Sequence, residues 1–121
     1  MRFLIVDDSS TMRRIIINTL NKLGHSECLE AANGREGVDR LASSLVDMVI
    51  TDWNMPEMSG IEFIRALRAN DATKKLPVLM VTTNAAEDDI KEALRAGVNN
   101  YVVKPFTPDT IKEKIAAALG A

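Results

Sequence analysis

Phe3-Leu4-Ile5-Val6-Asp7-Asp8 is an unbroken apolar run that ends at once in two carboxylates, and Met48-Val49-Ile50-Thr51-Asp52 follows the same plan. A continuous apolar segment of this length suits a strand buried on both faces, as in a parallel sheet covered by helices. Val78–Thr82 is a third run of this kind and ends in Thr82-Thr83. Two weaker segments complete the set. Glu27–Ala31 carries two glutamates, Glu27 and Glu30, and Tyr101–Val103 is short, so both suit the edges of a sheet. The expected strands are therefore Phe3–Val6, Glu27–Ala31, Met48–Asp52, Val78–Thr82 and Tyr101–Val103.

Helical patterns lie between and after these strands. The first starts near Ser10, read as its N-cap, buries Met12, Ile16, Leu20 and Leu23, and ends at Gly24 as its C-cap. The second covers 34–43 with Val38 and Leu41 inward. The third starts after Ser59 and buries Phe63, Ile64 and Leu67, with Glu62 and Arg65 outward. The fourth buries Ile90 and Leu94 and stops at Gly97. The fifth starts after Thr107-Pro108 and buries Ile111, Ile115 and Leu119. Strict alternation of strand and helix predicts an α/β, doubly wound, five-stranded parallel sheet with helices on both faces. Central apolar strands and right-handed crossovers give the order 2-1-3-4-5, the flavodoxin-like arrangement. The first and third strands are then neighbours at the topological switch point, where ligands bind outside the carboxyl ends of the strands.

The bulk numbers fit one domain and narrow the functions. A chain of 121 residues that is 46% apolar can bury one core. Fifteen basic against seventeen acidic residues give a net charge of −2 with no basic stripe, which argues against nucleic-acid binding. The lone Cys28 cannot form an internal disulfide and reads as core, and the lone His25, after Gly24, reads as an exposed turn residue. One His and one Cys exclude a zinc site of the usual kind. The N-terminal apolar run is too short for a signal-peptide core and no stretch reaches membrane-spanning length. The expectation is a cytoplasmic monomer without membrane insertion.

Asp7, Asp8 and Asp52 end adjacent strands, about 4.8 Å apart, so their carboxylates should converge. Two such charges at ~5 Å repel by roughly 3 kcal/mol at an effective dielectric near 20. Three of them call for a cation, and hard oxygen ligands at an open site suit Mg²⁺. A single Asp before a helix is usually a cap or a solvated loop acid, but Ser9 and Ser10 already offer caps here, and Asp52 stands at the neighbouring strand end. Arg13 and Arg14, in a first helical turn where cations oppose the helix dipole, fit a strongly negative site nearby. Thr82, Thr83 and Lys104 bring hydroxyls and a point charge to the same rim, as a phosphoryl group requires.

Taken together, Asp7-Asp8-Ser9, Asp52-Trp53-Asn54-Met55-Pro56, Val81-Thr82 and Lys104-Pro105-Phe106 resemble the receiver domains of two-component response regulators, over essentially the whole chain. Trp53, the run Tyr101–Phe106 and the ending after the fifth helix bring it nearest to the stand-alone chemotaxis members. That implies a single receiver domain over 1–121 with no output domain. The family shares the 2-1-3-4-5 order, so the order above is not independent of the resemblance.

The resemblance implies roles. Asp52 accepts a phosphoryl group from a phosphohistidine on a sensor histidine kinase. Asp8 and Asp52 bind Mg²⁺ directly, Asp7 largely through water, and Asn54 through its backbone carbonyl. Thr82 and Lys104 contact the phosphoryl oxygens, and Tyr101 follows Thr82 inward as the aromatic switch. Such a protein is not an enzyme in the ordinary sense, though it catalyses its own phosphoryl transfer and dephosphorylation. The resemblance also implies a cis Lys104–Pro105 bond, against a base rate of about 5%. Chemotaxis members often carry an acid two residues after the switch threonine. Here that residue is Asn84, which leaves the phosphoryl lifetime and any phosphatase partner open.

The expected output partner is the flagellar motor switch protein, docking on a face formed by Lys91, Arg95, Tyr101, Val103 and Lys112. The alternatives are a phosphorelay intermediate and an aspartyl-nucleophile phosphatase of the haloacid-dehalogenase type. The latter needs a general-acid Asp two residues after the nucleophile, where this chain has Asn54, and a cap insertion that it lacks. Nucleotide binding has no glycine-rich phosphate loop to support it.

Overall fold

The computed structural model describes residues 1–118. The strands are β1 (Arg2–Val6), β2 (Glu27–Ala31), β3 (Met48–Thr51), β4 (Val78–Thr82) and β5 (Asn100–Val103). The helices are α1 (Ser10–Lys22), α2 (Gly34–Ser43), α3 (Gly60–Ala69), α4 (Glu87–Ala96) and α5 (Pro108–Ala118). All strand pairs are parallel and the order is β2-β1-β3-β4-β5, as expected. β1, β3 and β4 are buried along almost their whole length, because each is covered on both faces.

Two apolar clusters lie on the two sides of this sheet. Leu4, Val6, Val49, Phe63, Ile64, Leu67, Met80 and Tyr101 meet α2, α3 and α4 on one side. Phe3, Ile5, Ile50, Leu79, Val81 and Val102 meet α1 and α5 on the other, through Ile16, Leu20, Ile111 and Ile115. Period-2 alternation along each strand sorts the residues between them.

Several local expectations need correction. Ser9, not Ser10, caps α1, its side chain accepting from the Met12 N–H. Leu23 is the C-cap residue and Gly24 follows it at φ 94°. β3 ends at Thr51, one residue before Asp52, and α5 begins at Pro108 rather than after it. In α4 the buried residue is Ala93, while Leu94 is half exposed and Ile90 partly buried. A helical stripe through Ile90 can continue at i+3 or i+4, and the small Ala93 is the one set against the sheet. His25 is partly covered, its ring 5.0 Å from that of Phe3. Cys28 is partly buried against the α1/α5 cluster. Leu119, expected in the buried stripe of α5, lies outside the described residues. The Lys104–Pro105 bond is cis.

Candidate functional site

Register brings the acids together. Val6 pairs with Thr51, so Asp7 and Asp52 are the next residues of adjacent strands, and the ladder continues one bond further from the Asp52 N–H to the Val6 carbonyl at 2.9 Å. On the other flank Thr82 pairs with Val103, and the Lys104 N–H donates to the Thr82 carbonyl at 2.8 Å. Lys104 therefore leaves β5 beside the end of β4. Asp7, Asp8 and Asp52 each offer a carboxylate oxygen, and these oxygens lie within 4.8 Å of one another.

The Lys104 ammonium stands between two of the acids, 3.1 Å from Asp7 Oδ2 and 3.3 Å from Asp52 Oδ2. The remaining oxygens accept from backbone: Asp7 Oδ1 from the Ser9 N–H at 2.9 Å, and Asp52 Oδ1 from the Trp53 N–H at 2.7 Å. Asp7 and Asp52 are buried, whereas Asp8 is exposed and enters no hydrogen bond or ion pair among the described residues. Burial pushes the Asp7 carboxyl pKa above its ordinary value. The Ser9 N–H and the Lys104 charge offset this only in part, and the Asp52 charge adds to it. One ammonium against three carboxylates leaves the cluster two negative charges in excess. An all-oxygen, partly open set with that deficit matches what a hard divalent cation requires.

The loop after Asp52 is held in shape by its own bonds. Ser59 and Glu62 form a capping box at the start of α3, and the Gly60 N–H donates to the Trp53 carbonyl at 2.7 Å. A Cβ on Gly60 would collide with the Asp52 carbonyl oxygen, so only glycine allows the turn to close this tightly.

A second chain of contacts leads away from the acids through Asn84. Its N–H donates to Thr82 Oγ1 at 3.3 Å, its Oδ1 accepts from Asn54 Nδ2 at 3.0 Å, and its carbonyl accepts from the Tyr101 hydroxyl. Thr82 is fully buried and Tyr101 is 9% exposed, so the ring already points inward. Burial, then the charges of Asp89 and Asp52, push the Tyr101 phenol pKa up to about 12, which keeps it a donor to Asn84.

The residues assigned to the output face lie on α4 (Lys91, Arg95), β5 (Tyr101, Val103) and α5 (Lys112). Lys91, Arg95 and Lys112 are exposed, Val103 is 37% exposed, and Lys91 spends part of its charge on Glu87 at 3.3 Å. Leu94, expected inward, adds exposed apolar surface to α4. Thr83 is also exposed. Arg13, read only as a hint of negative charge, donates to the Asp7 backbone carbonyl at 2.6 Å and pairs with Glu30 at 2.9 Å. Gly60 and the connecting role of Asn84 escaped the sequence reading. An S-G-x-E capping pattern was the available signal for Gly60, whereas Asn84 attracted notice only as a departure. Among the described residues, no helix is long and apolar enough to cross a membrane.

Residues 3–116 match the response regulator receiver domain. The chain is 50% identical to the chemotaxis protein CheY1 of Helicobacter pylori, covering 99% of this chain and 98% of that one. It superposes on the chemotaxis protein CheY4 of Vibrio cholerae with a TM-score of 0.89 at 35% identity, covering 97% of both chains. It also superposes on the receiver domain of a Pseudomonas aeruginosa sensor histidine kinase, with a TM-score of 0.88 at 26% identity and coverage of 99% and 98%. That structure was solved with a magnesium ion coordinated in its active-site cleft.

Proposed function

The chain belongs to the response regulator receiver domain family, and we propose that it is a Mg²⁺-dependent switch which takes a phosphoryl group on Asp52 and then engages the flagellar motor switch. The observation that carries this reading is the convergence of Asp7, Asp8 and Asp52 around a single Lys104 at the ends of neighbouring strands.

Asp8 and Asp52 would hold the cation directly, Asp7 largely through water, and the Asn54 carbonyl would supply a further ligand. The bound ion supplies charge neutralisation for the incoming phosphoryl oxygens. The chain's own residues do the rest. Asp52 is the nucleophile: its carboxylate oxygen bonds to phosphorus as the bond from phosphorus to the kinase's imidazole nitrogen breaks. Lys104, already between Asp7 and Asp52, offers its ammonium to the phosphoryl oxygens. The Thr82 hydroxyl accepts from the Asn84 N–H and so keeps its own proton to donate. Asp52 is the only one of the three acids on β3's end, with a helix-capped loop directly behind it.

The partners that follow are a sensor histidine kinase upstream and the motor switch downstream, with the protein acting as a cytoplasmic monomer and a phosphatase as a further partner. Docking uses Lys91, Arg95, Tyr101, Val103 and Lys112. Likeness to the two chemotaxis proteins favours motor control over a phosphorelay intermediate. A peptide from the motor switch, titrated with and without a small phosphodonor and Mg²⁺, tests the reading. Binding should strengthen with the phosphodonor, and Lys91→Ala or Tyr101→Ala should weaken it while Asp52 still labels. Equal binding in both states, or a footprint on α1, contradicts the output assignment.

A further inference from the structure

Asn33 is a polar side chain buried to 7% exposure at the start of α2, on a loop that contributes nothing to the acidic cluster itself. Both ends of its amide are used. Oδ1 accepts from the Glu36 N–H at 2.9 Å and caps α2, while Nδ2 donates to Glu57 Oε2 at 3.1 Å. Glu57 is the only non-glycine residue with positive φ among the described residues, at 65°, in the left-handed region that L side chains rarely adopt. Beside it, the Gly34 N–H donates to the Met58 carbonyl at 3.3 Å.

These contacts join two loops. The segment from Trp53 to Ser59 is closed at its base by Gly60 and the capping box; its middle turn is closed by the Met58 N–H donating to the Pro56 carbonyl at 2.6 Å and is held from outside as well, by Asn33 and Gly34. Serine or aspartate would cap α2 as well as asparagine does. Aspartate has no donor and serine has a single polar atom, whereas asparagine carries acceptor and donor on two atoms, one directed to the helix and one to Glu57.

We propose that Asn33 is a positioning residue for cation binding, holding Glu57 in its left-handed turn and with it the loop that carries Asn54, whose backbone carbonyl would serve the cation. This rests on the reading of the cluster as a Mg²⁺ site. Asn33 touches neither the cation nor the phosphoryl group and acts through the loop.

The test is Mg²⁺ titration of the full chain, followed by calorimetry and by the fluorescence of Trp53, the single tryptophan, which adjoins Asp52. Asn33→Ser keeps a cap but has only one polar atom, already engaged with α2, and so loses the Nδ2 arm that reaches Glu57. It should weaken Mg²⁺ binding about tenfold, the lower end for residues that orient metal ligands. Glu57→Gly adopts positive φ without strain, so in that background Asn33→Ser should cost less than about twofold, because the turn no longer needs holding. Unchanged Mg²⁺ affinity in Asn33→Ser with a lowered melting temperature overturns the proposal and leaves Asn33 a helix cap. An equal loss in both backgrounds overturns it too, since the effect then bypasses Glu57. Asp8→Ala is the control: if native protein and Asp8→Ala titrate alike, the metal reading itself fails and the proposal falls with it. If Asp8→Ala loses binding while Asn33→Ser does not, only the positioning role is lost.

Discussion

At the carboxyl-end rim of the sheet, one Lys104 ammonium is shared between Asp7 and Asp52, and Asp8 is left without a partner among the described residues. At the opposite rim, one Arg68 guanidinium donates to the carbonyls of Gly97, Thr73, Lys74 and Leu76 and to the Asn99 side chain. Arg68 meets dipoles that need no second charge, and it ties the end of α3 to the start of β4 and the end of α4. Lys104 meets more negative charge than it can neutralise. The Arg68 arrangement is complete within the chain, and the Lys104 rim is left with negative charge in excess. α4 runs between them. Its C-terminal Gly97, at φ 115°, has its carbonyl held twice by Arg68, while its N-terminal Ala86 provides no side-chain cap.

If the two rims divide stability from function in this way, Arg68→Ala should produce the largest loss of stability. It strands several backbone carbonyls and should cost about 3 kcal/mol or more, read from denaturant unfolding. Mg²⁺ affinity should stay within about twofold, because no Arg68 contact reaches the acids. A loss of Mg²⁺ binding as large as that of Asp8→Ala would break the distinction.

The site rim should behave in the opposite sense. Asp7→Asn in chelator should raise stability by about 1 kcal/mol near neutral pH, a few degrees in melting temperature, while weakening Mg²⁺ binding. The folded-state pKa of Asp7 lies above its ordinary value of 3.8. Native protein therefore keeps a proton that the unfolded chain has already lost, and the stability this gives is present in acid and falls away as pH rises through the raised pKa. Melts across that window should show the decline in the native chain and a flatter profile in Asp7→Asn. A less stable Asp7→Asn in chelator means that Lys104 outweighs burial.

The smallest effect concerns the link between the site and the output face. Tyr101→Phe removes one hydroxyl bond to Asn84 and should cost about 1 kcal/mol. In the native chain the phenol should titrate at about 12 by ultraviolet absorbance. An ordinary midpoint near 10 would place Tyr101 outside the core rather than in it.

The frame of the molecule was legible because it depends on local pattern. Unbroken apolar runs marked β1, β3 and β4, and glutamates marked β2 as an edge. The acids were legible for the same reason: a strand end followed by carboxylates needs no partner to be recognised. What escaped depends on long-range partners. Arg68 looks like any surface arginine at the end of a helix until topology brings Gly97 and Asn99 to it. Asn33 caps α2 with one end of its amide, and nothing local says that the other end meets Glu57. Leu94 and Ala93 satisfy the same helical period, so only the fit of α4 against the sheet decides between them. Ser9 and Ser10 are equivalent caps by type, and the one-residue choice is made where β1 ends.

The central claim is that Asp52 receives the phosphoryl group. Intact-mass measurement after incubation with a small phosphodonor and Mg²⁺ tests it most directly, on the native chain and on Asp52→Asn. The native chain should gain one phosphoryl group, removed again when the acyl phosphate is hydrolysed, and Asp52→Asn should gain none. Equal and stable labelling of Asp52→Asn would contradict the account.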